Sequence, residues 1–453
     1  MSSTYLVFAV ICVTILKELN QIVGEPYMDE PFHIPQAQAY CQGEYAKWDP
    51  KITTPPGLYI MSLLIKKVFL FKCTTPMLRL TTTLTLLGLP FALSGLLSYH
   101  KRERLRSIWT PSNEAVVLSM FPIAWFFGFL YYTEVPSLLT VALTVVAASQ
   151  GNHWLAAFIG LLSCTFRQTN IVWVLYAYAS SQLMMLRFKR LPKDETARLH
   201  DPPALNATPA DTLQSILSFP KILPQILPAF IPYSVVLAAF GAFVIWNGGI
   251  VLGDKSNHIP TLHVPQVYYF AAFCTFFGWP ILFSYQSGPV GLALDVWKRM
   301  FGGKIRSLVS VLIMSFMAYT VKNFTIHHPF LLSDNRHYTF YVWKRIFMAH
   351  PAAPYLLIPV YLASAWAWFL RVGGDQTLLQ NLLLPVFVIP TLLPTPLLEP
   401  RYFLIPYVLL RSQASNVPGW SVVLEGLWYA AINAGTMYTF LYLPREGVGR
   451  FMW

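Results

Sequence analysis

Gly24-Glu25-Pro26-Tyr27-Met28-Asp29-Glu30-Pro31-Phe32-His33 opens the stretch that decides how this chain is read. Trp48-Asp49-Pro50 follows, and Thr53-Thr54-Pro55-Pro56-Gly57 closes it. The stretch is polar, and it lies between one apolar run and a chain made almost entirely of others. Glu25, Asp29, Glu30, Glu44 and Asp49 fall within it, five of only 20 acidic residues. Such a concentration in a chain that is 11% charged marks a loop at a membrane surface that carries a reacting carboxylate.

Outward from this loop, the composition sets the class. The chain has 453 residues, 55% of them hydrophobic, whereas a soluble domain is about 25% charged. Apolar runs of about 20 residues recur, long enough to cross a hydrocarbon core of about 30 Å. They do not alternate as barrel strands do. The expectation is an all-α polytopic membrane protein with about 11 to 14 crossings on run length alone. It reads as a single membrane-embedded domain, 1–453. Ser3 to Ile22 lacks a basic leader and a small-residue cleavage site, so it is kept as the first span.

A net charge of +12 would suggest nucleic acid in a soluble protein. Here the cations gather in short blocks between apolar runs, at 101–106, 187–193 and 297–306. This is the positive-inside pattern, so no nucleic-acid partner is expected. With these blocks in the cytosol, residues 24–77 form the first loop on the far side. The loops around Arg167, 322–344 and 397–402 share that side. The polar segment 192–220 reads as a flexible cytosolic linker.

Within the loop, Pro31 suits the first turn of a helix. A short helix is therefore predicted from near Pro31 to Gln42, with Gly43 as its stop. Leu58 to Phe71, with Lys66 and Lys67, reads as a helix lying in the interface. Prolines such as Pro224, Pro228 and Pro232 are expected to break the later runs. The five cysteines show no metal spacing. Cys41 and Cys73 flank the same exposed region and could pair, although an odd, sparse set is more often unpaired. Asn323-Phe324-Thr325 is a candidate glycosylation triplet close to a span.

Three groups could do chemistry. Asp29 either caps the short helix or acts as a general base, with Glu30 as an orienting or acceptor-binding group and His33 beside them. Asp334-Asn335-Arg336-His337-Tyr338 is a solvated loop or an anion site. Glu399-Pro400-Arg401-Tyr402 holds charges at a membrane boundary, either as a structural pair or to grip a phosphate. Arg167 invites the same question. No phosphate-binding glycine loop, His-Glu metal motif or serine nucleophile motif is present. A transferase on this face would therefore draw its sugar from a lipid carrier.

Tyr27 to Gln38 and Trp48 to Tyr59, supported by Phe166-Arg167-Gln168-Thr169-Asn170, Asp334 to Tyr338 and Glu399 to Phe403, closely resemble the endoplasmic-reticulum dolichyl-phosphoglucose-dependent α-1,2-glucosyltransferases. The likeness spans the chain and departs at Pro31, where a bulky apolar residue is expected. It implies the type C glycosyltransferase fold in the endoplasmic-reticulum membrane, with a lumenal first loop bearing short interfacial helices. It also implies transfer of the terminal, third glucose from dolichyl phosphate glucose to a diglucosylated lipid-linked oligosaccharide. A β-linked donor and an α-linked product imply inversion, with Asp29 as base. Arg336, His337, Arg401 and Arg167 would hold the departing phosphate. Trp48, Asp49, Asp334, Tyr338, Glu399 and Tyr402 would position acceptor or donor. No metal and no cofactor are expected, the lipid-linked glucose being a substrate. The alternatives are a related dolichyl-phosphate-sugar mannosyltransferase, since fold does not decide the sugar, and a polytopic transporter.

Overall fold

A computed structural model describes residues 2–103, 109–188, 199–255 and 259–452. Arg104 and Arg106 of the first basic block, and Lys189, Arg190 and Lys193 of the second, lie outside the described residues. Among the described residues all regular structure is helical, with isolated bridges only, such as Pro203 to Thr377. The chain forms two compact units. The first is Met1–Asp201 with Pro209–Ile259, and the second is Pro202–Thr208 with Pro260–Trp453.

In the first unit the helices are α1 (Ser3–Ile22), α2 (Glu30–Cys41), α3 (Gly57–Phe69), α4 (Thr75–Lys101), α5 (Asn113–Ser119), α6 (Pro122–Gly128), α7 (Glu134–Ser149), α8 (His153–Phe166), α9 (Asn170–Phe188) and α10 (Pro209–Asn247). α4 is the axis of this unit and packs against α1, α5, α6 and α7. Pro76 stands in its first turn, where no N–H is needed, and Arg102 ends it in the left-handed conformation. The first loop is seated by an apolar cluster that includes Ile34, Tyr40, Ile52, Leu58, Leu78 and Tyr131. Gly57 approaches α8 so closely that a Cβ would lie 2.4 Å from Thr165 Oγ1. Glycine is therefore required at the end of the Thr-Thr-Pro-Pro-Gly run.

The second unit contains α11 (Pro265–Leu282), α12 (Gly288–Phe301), α13 (Lys304–Phe324), α14 (Pro329–Ser333), α15 (Tyr338–Val342), α16 (Ala353–Leu356), α17 (Ile358–Gly373), α18 (Leu378–Leu392), α19 (Leu404–Ser412) and α20 (Gly419–Tyr442). α11 packs on α17 and α20. A fully buried pair joins α19 to α20: Arg411 Nε donates to Glu425 Oε1 at 2.8 Å and Nη2 to Oε2 at 2.9 Å. Parting either charge from its partner at this depth would cost about 3–5 kcal/mol.

Among the described residues, five helical stretches are long and apolar enough to cross a membrane: α1, α4, α10, α13 and the α16–α17 stretch Ala353–Gly373. α7, α8 and α18 are apolar but only 14 to 16 residues long. Two expectations are corrected. The segment 192–220 is not linker throughout, since α10 begins at Pro209. The prolines do not break it either: Pro220, Pro224, Pro228 and Pro232 lie inside one 39-residue helix. At four-residue spacing each missing N–H would have met the carbonyl of the preceding proline, so all the losses fall on one stripe and the other rows stay bonded.

Candidate active site

α2 begins one residue before Pro31, and Gly43 lies just past its end at φ +90°, close to the sequence expectation. Asp29 occupies the N-cap position, yet its side chain makes no cap hydrogen bond, and its own backbone is helical. Capping is therefore not what the carboxylate does. It is half-buried. Its backbone N–H donates to Tyr132 Oη at 2.7 Å, and its carbonyl accepts from the N–H groups of Phe32 and His33 at 3.0 and 3.1 Å. Met28, just before it, is buried with φ +58°. A side chain in this left-handed region costs about 1–2 kcal/mol, so the turn that presents Asp29 must be held by its surroundings.

Much of that hold comes through Glu30. Its carboxylate is fully buried, and each oxygen accepts two donors. Oε1 takes Arg79 Nε at 2.9 Å and the Tyr131 N–H at 2.8 Å. Oε2 takes Arg79 Nη2 at 2.6 Å and the Tyr27 N–H at 2.9 Å. Arg79 is equally buried and also donates to the Val23 carbonyl at 2.7 Å. Of the two tasks expected of Glu30, an orienting one fits this environment and an acceptor-binding one does not. A saturated, water-excluded carboxylate has no capacity left for a substrate, and its task is to fix the turn.

His33, one helical turn on, places Nδ1 2.6 Å from Tyr59 Oη and stacks obliquely near Tyr132. Gln36 carries the order to the Trp48 and Asp49 end of the loop. It donates to the Lys47 carbonyl at 2.6 Å and accepts from the Asp49 N–H at 2.9 Å. Asp49 Oδ1 in turn accepts from the Lys51 N–H at 2.9 Å, and Trp48 Nε1 donates to the Ile52 carbonyl at 3.3 Å. Both side chains are half-buried beside the loop. Arg167 ends α8 and pairs with Glu134, the first residue of α7. Gln168 donates to the Thr53 carbonyl at 2.7 Å. The Phe-Arg-Gln motif is thus bound to the loop. Cys41 and Cys73, for which the sequence favoured the unpaired state, form a disulfide, and it closes the segment from α2 to the foot of α4.

In the second unit the two remaining motifs meet. Arg336 grips Asp334 with Nε to Oδ1 at 2.9 Å and Nη2 to Oδ2 at 2.7 Å. His337 Nε2 lies 3.5 Å from Asp334 Oδ2, and His337 Nδ1 lies 4.0 Å from Glu399 Oε1. Glu399 also pairs with Arg401. The result is a chain of alternating basic and acidic side chains, Arg336–Asp334–His337–Glu399–Arg401, across residues far apart in sequence. Burial opposes ionisation of Asp334, but hydrogen bonds from His337 and Arg336 outweigh it and hold the carboxyl well below its usual range. Tyr338 and Tyr402 stand half-buried at the edges. Behind the chain, Gln266 donates to the Leu397 carbonyl at 2.8 Å, and His263 Nδ1 lies 3.1 Å from the Pro396 carbonyl. Among the described residues no group of three or more His, Cys, Asp or Glu side chains is spaced to hold a metal ion.

With this geometry in place, comparison with known proteins gives the chain a family. The DIE2/ALG10 family pattern matches residues 23–412. The chain belongs to the DIE2/ALG10 family. A Rattus norvegicus relative is 36% identical over 470 residues, covering 98% of this chain and 97% of its own. An Arabidopsis thaliana relative is 33% identical over 506 residues and covers 96% of each. A Drosophila melanogaster relative is 34% identical over 427 residues, covering 91% and 89%. Each is named Dol-P-Glc:Glc(2)Man(9)GlcNAc(2)-PP-Dol alpha-1,2-glucosyltransferase. No solved structure matches the chain.

For this DIE2/ALG10 family member, sequence reading missed Arg79, Tyr132 and Glu134. Arg79 and Glu134 had a usable signal, a charge inside or beside an apolar run, which is costly without a partner and so implies one. Tyr132 had none, because a tyrosine at the end of an apolar run also reads as an interfacial anchor. Asn323 lies in the last turn of α13, where its amide donates to the Tyr319 carbonyl at 2.8 Å.

Proposed function

We propose that the protein transfers glucose from dolichyl phosphate β-glucose to diglucosylated Man9GlcNAc2-diphosphodolichol. The product is a terminal α-1,2-linked glucose, made at the lumenal face of the endoplasmic-reticulum membrane as the last step of lipid-linked oligosaccharide assembly. Near-full-length relatives whose names describe this transfer support the reaction and its substrates. The Cys41–Cys73 disulfide supports the lumenal side, since such bonds persist in oxidising compartments.

The observation that carries the mechanism is the contrast between two adjacent carboxylates. Glu30 is saturated by four donors, whereas Asp29 is half-buried, makes no cap bond and stands at the start of α2. Asp29 is the general base. It takes the proton from the acceptor 2-hydroxyl as that oxygen attacks C1 of glucose and the C1–O bond to phosphate breaks with inversion. General-base help of this kind is worth about 10²–10⁴-fold. Phosphate leaves without a general acid. Within the first unit, Arg167 is the cation assigned to its growing charge; the Arg336, His337 and Arg401 cluster of the second unit is, taken by itself, a candidate phosphate-binding group. Carboxylate partners fix the planes of these guanidinium groups in advance. With that much positive charge available, the reaction needs neither metal nor cofactor.

The test is an assay of purified protein with lipid-linked glucose and the diglucosylated acceptor. One added α-1,2-linked glucose is expected, and dolichyl phosphate mannose should give no product. Asp29→Asn should lower turnover by at least about 10²-fold without shifting the melting temperature. A near-normal rate for that variant rejects Asp29. Chelator treatment should leave the rate unchanged. A loss restored by Mg²⁺ or Mn²⁺ overturns the metal-free reading.

A further inference from the structure

Between Tyr27 and Asp29 the backbone turns through the left-handed conformation at Met28, and one hydroxyl spans that turn. Tyr132 Oη accepts the Asp29 N–H at 2.7 Å and donates to the Tyr27 carbonyl at 3.1 Å. Tyr27, Met28 and Tyr132 are all buried. The Tyr27 carbonyl also accepts the Glu30 N–H at 3.0 Å, so the hydroxyl adds the Asp29 N–H to a turn closed through a conformation that a methionine rarely adopts. The adjacent residue works on the other side of the turn. The Tyr131 N–H donates to Glu30 Oε1 at 2.8 Å, on the carboxylate that Arg79 holds. Tyr131 and Tyr132 directly precede α7, so a rigid helix start fixes both clamps.

We propose that Tyr132 is a positioning residue for the reaction. Through its hydroxyl it holds the Tyr27–Met28–Asp29 turn, and so it sets where the Asp29 carboxylate meets the acceptor hydroxyl. The inference rests on Asp29 being the base. Tyr132 itself touches no substrate. Its removal leaves binding in place and misplaces the proton acceptor, and a displacement of about 1 Å is enough to cost about 10²-fold.

The two tyrosines supply their own control. The Tyr131 hydroxyl points away from the turn, 2.7 Å from Ser62 Oγ and 3.2 Å from the Leu58 carbonyl, so it anchors α3 only. Tyr132→Phe should lower kcat by about 10- to 100-fold and leave KM for donor and acceptor within about threefold. Tyr131→Phe should lower the melting temperature at least as much and leave kcat at the wild-type value. If the two variants lose kcat alike, in proportion to lost thermal stability, the effect is general loosening and the proposal fails. It also fails if Tyr132→Phe turns over normally. Asp29→Asn is measured alongside. If it is inactive while Tyr132→Phe is normal, the clamp alone is wrong. If Asp29→Asn is active, the base is wrong and the clamp falls with it.

Discussion

Two side chains in the second unit show how burial and hydrogen bonding compete at single residues. His263 is fully buried. Burial pushes its imidazole down to about 4, helped by the charge of His327 and opposed by hydrogen bonds to the carbonyls of Pro396 and Thr395. At Asp334 the balance reverses, because His337 and Arg336 overcome the burial penalty and keep the carboxylate charged. Both therefore lose stability as pH falls, but in different windows. An imidazole neutral in the fold and protonated when unfolded gives stability that is whole above about pH 6.5 and lost as pH falls toward 4. A carboxyl depressed in the fold gives stability that is whole above about pH 4 and lost only below it. Thermal melting in detergent should therefore decline between pH 6.5 and 5 through His263, by up to about 3 kcal/mol on full titration. Asp334 should add its loss only in stronger acid. His263→Asn should flatten the first decline, and a wild-type melting temperature that is level from pH 7 to 5 contradicts the neutral buried imidazole.

Among the elements, α2 is the one that sequence reading located best. Pro31 and Gly43 are local signals with local causes, a missing N–H at the first turn and a positive φ beyond the last. α10 was misjudged by the same local logic, because the effect of a proline depends on where its i−4 carbonyl lies. Four prolines in one register act differently from four scattered ones. The task of Glu30 was legible only in part: an orienting group was expected, but its partner was not. Adjacency to Asp29 suggested a shared task, but its partner Arg79 is 49 positions away, and only folding brings α4 under the loop. The disulfide lay between these cases. Among five scattered cysteines Cys41 and Cys73 were named as a pair that could form but not as the favoured state, yet α2 and the foot of α4 set them 6.5 Å apart at Cα, 32 positions apart in sequence. On a chain-entropy basis such a closure restricts the unfolded chain by about 4 kcal/mol, and it does so from the end of α2 opposite the proposed base.

Whole-molecule sidedness can be argued within the first unit from the two ends of α4. This helix has 27 residues, and 72% of its most apolar window is buried, so it is a span through the middle of the unit rather than an interfacial rod. Just before it stands Cys73, oxidised to Cys41. At its other end stand His100, Lys101 and Arg102, with Lys101 paired to Glu114. An oxidised cysteine belongs on the side away from the cytosol, and a basic end belongs on the cytosolic side. The two criteria are physically independent, one a redox potential and the other a translocation bias, and they orient the helix the same way. Both criteria support the proposed lumenal side for the first loop, which is tied to Cys73 through α2. Sealed microsomes give the check. A protease site inserted after Gly43, in an exposed part of the loop, should resist added protease until detergent opens the vesicle. The same site inserted after Arg102 should be cut in both conditions. Cleavage after Gly43 in sealed vesicles would place the loop in the cytosol, where a lumenal base is impossible and the disulfide would be exposed to reduction.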